Sequence, residues 1–416
     1  MNHSPITEIK VSLYFGTGVL PVGRLAIREG LVYFAYSGSF IERGLEISPL
    51  RLPLQPGVRT FDRFLFEGLP GAFNDSLPDG WGRLLLDRAV RFQGILPKQL
   101  SPLDRLAHVG NAGMGALCYE PDYGADKSNA KLDLDVLASH AQAVLNGEAG
   151  EVLQELLALN GSSAGARPKA MIGVDTTRQN IIHSTRGLPE GYEHWLAKFP
   201  NTQDGEDAGA IEYVYAQMAC EAGVTVTPSH LFPAQRGAGY FATRRFDRDG
   251  SRRLHSHTAS GLLHSDFRAP SLDYEDLLAL TEILTRDVRE IEKMFHLAVF
   301  NVLAHNRDDH AKNFTFLMDE SGEWKLSPAY DLTFSSGPRG EQSTMVMGEG
   351  ESPGKGHLIK LGQAAKLKPQ RIIQLIEKTE HALDSWEQLA KTYGVSKTNI
   401  SLIGKRIARI TRQGTK

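Results

Sequence analysis

The sequence predicts an α+β fold in which a β-rich beginning is followed by a mixed segment and then by a largely helical second half. Apolar and polar residues alternate from Ile9 to Phe15, which is the period of a half-buried strand. From Asp79 the apolar residues recur at helical spacing, and after His264 the chain reads as mostly helical. The 416 residues allow two or three domains at roughly 150 residues each.

The first elements form a small α+β unit. After the first strand, Gly16 and Gly18 mark a break, and two more strands are predicted at 22–27 and 31–36. The following helix is predicted to bury one face, formed by Trp81, Leu84, Leu85, Ala89 and Phe92.

A short helix should begin at the cap Ser101, with Pro102 in its first position, and end at Gly110. A polar stretch at 123–130 without periodicity is the predicted linker, so the first unit closes near residue 122.

The middle of the chain alternates between helices and strands. We expect helices at 132–145 and 151–159, and an apolar-striped helix that starts after Asp207 and ends at Gly223. Strands are expected at 170–174, 180–183, 195–199 and 240–246. The second half should contain helices at 274–284, 287–304, 369–378, 385–393 and 398–412, with two strands at 313–318 and 323–326.

Composition narrows the classes of function. Lys and Arg total 46 against 49 Asp and Glu, a net charge of −3, so a dominant electrostatic grip on nucleic acid or an anionic membrane is not expected. Two cysteines cannot build a disulfide framework or a four-cysteine zinc site. The beginning lacks a secretory signal pattern and no apolar run is long enough to span a bilayer, which predicts a cytoplasmic protein.

The densest polar cluster lies at 305–313, directly after an apolar helix. Arg307-Asp308, four further residues and Asn313 match the protein-kinase catalytic-loop pattern R-D-x-x-x-x-N. In that pattern the aspartate accepts the substrate hydroxyl proton and the asparagine coordinates magnesium.

Two other interpretations of this cluster stay open. One is a solvated helix end with local capping. The other is a hydrolytic metal site formed by Asp308, Asp309, His305 and His310, with His255 and His257 as a weaker candidate pair.

Three further features suit phosphoryl transfer. Asp331 follows a predicted hairpin that would return it to the catalytic loop as a second metal-binding carboxylate. Lys198 has apolar neighbours on a predicted strand, so its charge needs a phosphate or a carboxylate as partner, unless it faces water at a sheet edge. The small residues at 161–166 would let backbone N–H groups approach phosphates, although they match no Walker A motif. Along the chain, the small-residue loop, the lysine strand, the catalytic-loop pattern and the second aspartate occur in the same order as in a protein kinase.

On these segments the chain resembles the HipA family, the kinase toxins of bacterial type II toxin–antitoxin modules. The similarity covers nearly the whole chain. The matching segments are 73–82, 109–117, the serine-containing loop near 162, 194–200, 245–248, and 308–313 together with Asp331.

The resemblance implies a protein-kinase-like fold of HipA type. It implies an N-terminal subdomain at 1–122, a region at 123–245 like the N-lobe of a kinase, and a helical C-lobe at 246–416. It also implies ATP and Mg²⁺ as cofactors, with Asp308 as catalytic base, Asn313 and Asp331 as metal ligands and Lys198 on the phosphates. Further nucleotide contacts are expected from Ser163, Ala164, Gly165, Arg244, Phe246, His310 and Lys312.

The same resemblance implies regulation and partners. Ser162, or its neighbour Ser163, stands where the family carries an autophosphorylated serine, in a loop that leaves the site on modification. The implied partners are a small helix-turn-helix, HipB-like antitoxin, operator DNA through that antitoxin, and a protein substrate such as an aminoacyl-tRNA synthetase. No membrane partner is implied.

Two classes of function therefore remain at this point. The first is an active serine/threonine kinase toxin, which the complete set of Lys198, Asp308, Asn313 and Asp331 favours. The second is a nucleotide-binding interaction module with weak or no activity that acts as an antitoxin-bound corepressor. The basic residues of the last helix could contact DNA, although such a run is more typical of a solvated helix face.

Overall fold

The structure, a computed structural model, describes residues 4–124, 130–147, 152–160, 165–183 and 187–412. The mixed α/β class predicted from the sequence is confirmed, with a β-rich beginning and a mainly helical second half. The predicted linker at 123–130 falls largely outside the described residues.

An antiparallel sheet with helices against it forms the first part of the chain. In chain order its elements are β1 (Glu8–Tyr14), β2 (Val19–Arg28), β3 (Leu31–Tyr36), α1 (Gly38–Arg43), β4 (Arg59–Thr60), α2 (Gly71–Asn74), α3 (Gly80–Phe92), α4 (Pro102–Val109) and β5 (Leu117–Glu120). The strand order is β4-β3-β2-β1-β5. As the alternation predicted, Ile9, Val11 and Leu13 of β1 are buried.

The helices of this part follow their local signals with one exception. The Ser101 hydroxyl accepts a hydrogen bond from the Asp104 amide at 3.1 Å, and Gly110 ends α4 with a φ of +54°. On α3, Trp81, Leu85 and Ala89 are buried, but Phe92 is 65% exposed. The prediction for Phe92 was wrong: it is the last residue of α3, and most of its surface is exposed in the described structure.

A second antiparallel sheet occupies the middle of the chain. Its elements are α5 (Leu134–Leu145), α6 (Val152–Asn160), β6 (Lys169–Asp175), β7 (Ile181–His183), β8 (Tyr192–Lys198), α7 (Ala208–Ala222), β9 (Ser229–Phe232) and β10 (Tyr240–Arg244). The strand order β7-β6-β8-β10-β9 places β8 in the centre. Gly223 ends α7 in the left-handed conformation, as predicted.

The second half of the chain is mainly helical. Its elements are β11 (Arg248–Asp249), β12 (Arg252–Arg253), β13 (His255–Thr258), α8 (Ala259–Leu263), α9 (Tyr274–Thr285), α10 (Val288–Leu303), β14 (Thr315–Met318), β15 (Trp324–Leu326), α11 (Lys355–Ala364), α12 (Pro369–Leu383), α13 (Trp386–Thr392) and α14 (Lys397–Arg412). The predicted hairpin β14–β15 is extended by β13 into a three-stranded sheet.

The apolar core joins the first sheet to the helical half. One buried cluster runs from Leu13 and Phe73 to Phe300 and Phe316, while a second lies between the middle sheet and α3, α5 and α6. The helices α2 and α8 touch so closely that a Cβ on Gly71 would lie 2.0 Å from the Gly261 carbonyl oxygen. The N-terminal elements are therefore packed directly against the half that carries the predicted catalytic loop.

None of the described helices combines the length and the apolar character needed to cross a membrane.

Candidate active site

Lys198, the last residue of β8, lies between two carboxylates. Its Nζ is 2.5 Å from Glu212 Oε1 on α7 and 2.5 Å from Asp331 Oδ1. The lysine side chain is 10% exposed and that of Glu212 is 3% exposed. The sequence predicted that Lys198 needs a phosphate or a carboxylate, and the structure supplies two carboxylates.

These contacts favour the charged forms of Lys198 and Asp331. Burial acts to lower the pKa of Lys198, but the charges of Asp331 and Glu212 outweigh it and hold that pKa above its usual value. Burial likewise acts to raise the pKa of Asp331, and the opposing charges of Lys198, Lys169 and Arg167 bring it well below its usual range. Asp331 is therefore an ionised carboxylate, as a metal ligand must be.

The segment that carries Asp331 is fixed to the predicted catalytic loop. Asp331 has a φ of +57°, a conformation that few residues other than glycine adopt. The hydroxyl of the preceding Tyr330 donates to the Lys312 carbonyl at 2.5 Å and contacts the Thr315 hydroxyl at 2.6 Å. The hairpin β14–β15 thus returns Asp331 to the loop, as the sequence predicted.

The loop after α10 presents Asp308 at the surface. The Asn313 side-chain amide donates to the Asp308 carbonyl at 2.7 Å and closes the loop. Withdrawal from water raises the pKa of Asp308, with the charge of Asp331 acting in the same direction and those of His310 and Arg167 opposing it. A carboxylate with a raised pKa at the surface is suited to accept a proton.

Asp309, the neighbour of Asp308, has a structural role. It is buried, and it accepts hydrogen bonds from the Tyr274 hydroxyl at 2.6 Å, the Gln342 amide at 2.9 Å and the backbone amides of Ser343 and Thr344. Burial raises its pKa to about 7 despite these donors. Asp309 therefore holds the catalytic loop against 342–344.

The structure does not support a hydrolytic metal site here. Among the described residues, no three or more His, Cys, Asp or Glu side chains are grouped to hold a metal ion. His305 contacts the Ser335 carbonyl oxygen at 3.0 Å, and His257 is buried against Asp75 at 2.6 Å. His255 is also buried, against the Ile47 carbonyl oxygen.

Three cations gather beside Asp331. Lys169 on β6 is directly opposite Lys198 on β8, and it is 5% exposed. Burial and the charge of Lys198 lower the pKa of Lys169 to about 8. Arg167 pairs with Asp204 at 3.1 Å and lies 3.5 Å from Glu212. Together with Glu212, Asp331 and Asp204, these three cations form one cluster of charged side chains.

Two more of the predicted nucleotide contacts meet on one N-terminal residue. Asp79 Oδ1 accepts from the Gly165 amide at 2.5 Å, and Asp79 Oδ2 lies 2.6 Å from Lys312 Nζ. His310 packs its ring against Phe267, with centroids 5.1 Å apart. Ser162, Ser163 and Ala164 lie outside the described residues.

Arg244 and Phe246, two of the expected nucleotide contacts, lie at the last residue of β10 and two residues beyond it. The Arg244 side chain pairs with Glu193 at 2.9 Å, and both are partly exposed. The Phe246 ring is 5.3 Å from that of Tyr330, the neighbour of Asp331. The backbone amides of Arg244 and Arg245 already donate to the carbonyls of Pro228 and His194. Phe246 is thus near the candidate site, whereas the amides of Arg244 and Arg245 are used in backbone hydrogen bonds within the protein.

Sequence reasoning missed Glu212 and Asp79. A signal for Glu212 was present, since it is a carboxylate within the apolar stripe of α7 and is 2% exposed, so it needed a cationic partner. Asp79 gave a misleading signal because it stands at the N-cap of α3, where an aspartate usually bonds its own helix.

Comparison with known proteins gives matches along most of the chain. A HipA-like C-terminal domain matches residues 161–386, and a HipA N-terminal domain matches residues 17–120. A protein of Sinorhizobium fredii, named "Putative kinase Y4mE", is 25% identical over 92% of this chain and 85% of its own length.

A solved structure shares the fold. It is HipA of Shewanella oneidensis in a complex with HipB and operator DNA, and it aligns with a TM-score of 0.68 at 15% identity over 97% of this chain and 96% of its own. This similarity confirms the fold predicted from the sequence.

Proposed function

The chain belongs to the HipA family, and from this premise we propose that it is an ATP- and Mg²⁺-dependent serine/threonine protein kinase. The observation that supports this most directly is the bond between Lys198, on a central strand, and Glu212, on a helix. Protein kinases hold their phosphate-binding lysine by this type of ion pair. Lys198 also contacts Asp331, which follows the hairpin β14–β15.

The residues present fit a nucleotide with magnesium. Asn313 and Asp331 offer the amide and carboxylate oxygens that Mg²⁺ prefers, and Tyr330 ties their two segments together. When bound, the metal neutralises charge on the transferring phosphoryl group. Lys198, Lys169 and Arg167 supply positive charge for the phosphates.

In this proposal the chain's own groups orient the reactants and move one proton. Lys198 is fixed by Glu212, so that its ammonium group stays at the phosphates. Asp308 accepts the proton of the substrate hydroxyl, and Asn313 holds the loop by its bond to the Asp308 carbonyl. The raised pKa of Asp308 supports this role.

We expect partners like those of the Shewanella protein, whose solved complex contains HipB and operator DNA. The proposed partner is a helix-turn-helix antitoxin that carries the DNA affinity, and the chain would act as the toxin of such a module. The proposed substrate is a protein such as an aminoacyl-tRNA synthetase.

The test is transfer of labelled phosphate from ATP and Mg²⁺ to proteins of a cell lysate, with mass spectrometry of the products. We expect phosphoserine or phosphothreonine on a substrate and, on the chain itself, at Ser162 or Ser163. Asp308→Asn should reduce both reactions by about two to four orders of magnitude, the scale of general-base catalysis.

The outcomes separate the alternatives. Wild-type rates in Asp308→Asn would contradict its role as base. ATP binding with no transfer to any protein would instead favour a nucleotide-binding module that acts by interaction.

A further inference from the structure

Asp79 connects three parts of the molecule. It directly precedes α3, yet its side chain makes no capping hydrogen bond to that helix. One carboxylate oxygen accepts from the Gly165 amide at 2.5 Å and the other lies 2.6 Å from Lys312 Nζ. The side chains of Asp79 and Lys312 are only 11% and 8% exposed. An aspartate at the N-cap usually accepts a hydrogen bond from its own helix, but Asp79 contacts two distant groups instead. This indicates a role outside α3.

The residues after Asp79 sit tightly against the same region. The Trp81 amide donates to the Gly165 carbonyl at 3.0 Å. A Cβ on Gly80 would lie 2.5 Å from that carbonyl oxygen, and a Cβ on Gly82 would lie 2.3 Å from the Asn160 side-chain nitrogen. Gly80 also has a φ of +42°. Residues 79–82 thus contact Asn160 and Gly165, the described residues on either side of 161–164. At Gly80 and Gly82 the approach is too close for a larger side chain.

Lys312 is held from a second side. Its Nζ stands 4.8 Å from the centre of the Phe267 ring, and the same ring packs against His310. Burial acts to raise the pKa of Asp79, but Lys312 and the Gly165 amide outweigh it, so the carboxylate is ionised. The pair is therefore a buried, geometrically fixed ion pair.

We propose that Asp79 is a positioning residue for the nucleotide site, which sets the spacing between the Gly165 backbone and the ammonium group of Lys312. In this proposal the N-terminal subdomain contributes a positioning residue to the kinase site. This inference rests on the proposed function. Asp79 itself touches no phosphate and acts through Gly165 and Lys312.

The first test measures the affinity for ATP with Mg²⁺ in wild type, Asp79→Asn and Asp87→Asn. Asp87 is the matched control, because it lies on α3 and pairs with the buried Arg105 at 2.8 Å. The loss of one charge-assisted contact should weaken ATP binding about tenfold in Asp79→Asn, whereas Asp87→Asn should bind like wild type. Tighter binding in Asp79→Asn would show that the carboxylate competes with phosphate, and would overturn the proposal.

A double variant guards against a simple loss of folding. Asp79→Asn leaves Lys312 as a buried charge, whereas Asp79→Asn with Lys312→Gln removes both charges together. If Asp79 acts through Lys312, the double variant should bind ATP little more weakly than Lys312→Gln alone. Two losses that multiply in full would show independent roles and contradict the proposal.

A third measurement does not depend on ATP. Hydrogen–deuterium exchange of peptides covering 160–168 should be faster in Asp79→Asn than in wild type, and unchanged in Asp87→Asn. Equal exchange in all three proteins would refute the Asp79 contact. A wild-type protein that binds no ATP, but shows the exchange difference, would refute the proposed function and the nucleotide part of this inference while leaving the contact itself established.

Discussion

Lys169 carries a positive charge in an unfavourable environment. It is buried and faces Lys198 across two neighbouring strands, where like charges destabilise a sheet. Its pKa falls to about 8, so most of these side chains are still protonated at neutral pH. A charge held at such a cost is typical of a binding site, because an anion that enters would relieve the repulsion.

This cost predicts a pH-dependent effect of Lys169→Met. Because the folded pKa is lower than the unfolded value of 10.5, the unfolded state binds more protons between pH 8 and 10.5, and stability rises with pH across this range. Below about pH 8 the full penalty applies, on the order of 3 kcal/mol. Lys169→Met should therefore unfold at higher urea concentration than wild type at pH 7, and the difference should shrink at pH 10. A difference independent of pH would contradict the assignment.

At the residue scale, the sequence showed which side chains require an opposite charge better than it showed which residues supply that charge. The apolar neighbours of Lys198 showed that its charge required an opposite charge, and Asp331 was predicted to return to the catalytic loop. The partner Glu212 could not be identified, since the distance along the chain says nothing about which face of α7 meets β8. Asp79 and Lys312 are 233 residues apart, and no local pattern connects them.

At the scale of elements, α7 acts as the support of the candidate site. It packs against β9 and β10 of the middle sheet and against α12 and α13 of the helical half. Glu212 extends from it to Lys198, so the position of α7 fixes the position of the ammonium group. Neutralising Glu212 would leave Asp331 as the one carboxylate within 2.5 Å of Lys198 in the described structure.

We therefore expect Glu212→Gln to lower the rate of phosphoryl transfer by about tenfold or more, since the lysine would be drawn towards Asp331 and away from the phosphates. The control is Glu221→Gln, which changes an exposed glutamate on the same helix that contacts the Ser385 hydroxyl at 3.2 Å. Transfer rates measured at saturating ATP should separate the two variants. Equal rates in both would mean that the Lys198–Glu212 pair only stabilises the fold.

Elements with strong local signals were predicted well. The predictions of a cap at Ser101 and of helix ends at Gly110 and Gly223 were all correct, because caps and turns depend on a few neighbouring residues. The strands β9 and β13 and the helix α11 were missed. β9 and β13 have four residues each, which is too short for a period to show, and their pairing is decided by distant strands.

At the scale of the whole molecule, the first sheet and the helical half share one apolar core. Leu77 belongs to that core, whereas Trp81, four residues later, belongs to the second cluster beside the middle sheet, so residues 79–82 lie between the two clusters. The domain limits at 122 and 245 remain a prediction. The N-terminal part nevertheless reaches the predicted catalytic loop, where Asp79 contacts Lys312 at 2.6 Å.

From the proposed function we expect the whole molecule to be stabilised by ATP with Mg²⁺. A ligand that binds only the folded state stabilises it by mass action, by about 2.7 kcal/mol at a hundredfold excess over its dissociation constant. ATP with Mg²⁺ should therefore raise the melting temperature of the wild-type chain, and a chelator should remove part of the increase. Asp331→Asn should lose this magnesium-dependent part, whereas Asp384→Asn, an exposed change at the end of α12, should keep it. No shift at millimolar ATP and Mg²⁺ would exclude a nucleotide site of useful affinity, because linkage between binding and folding is a thermodynamic necessity.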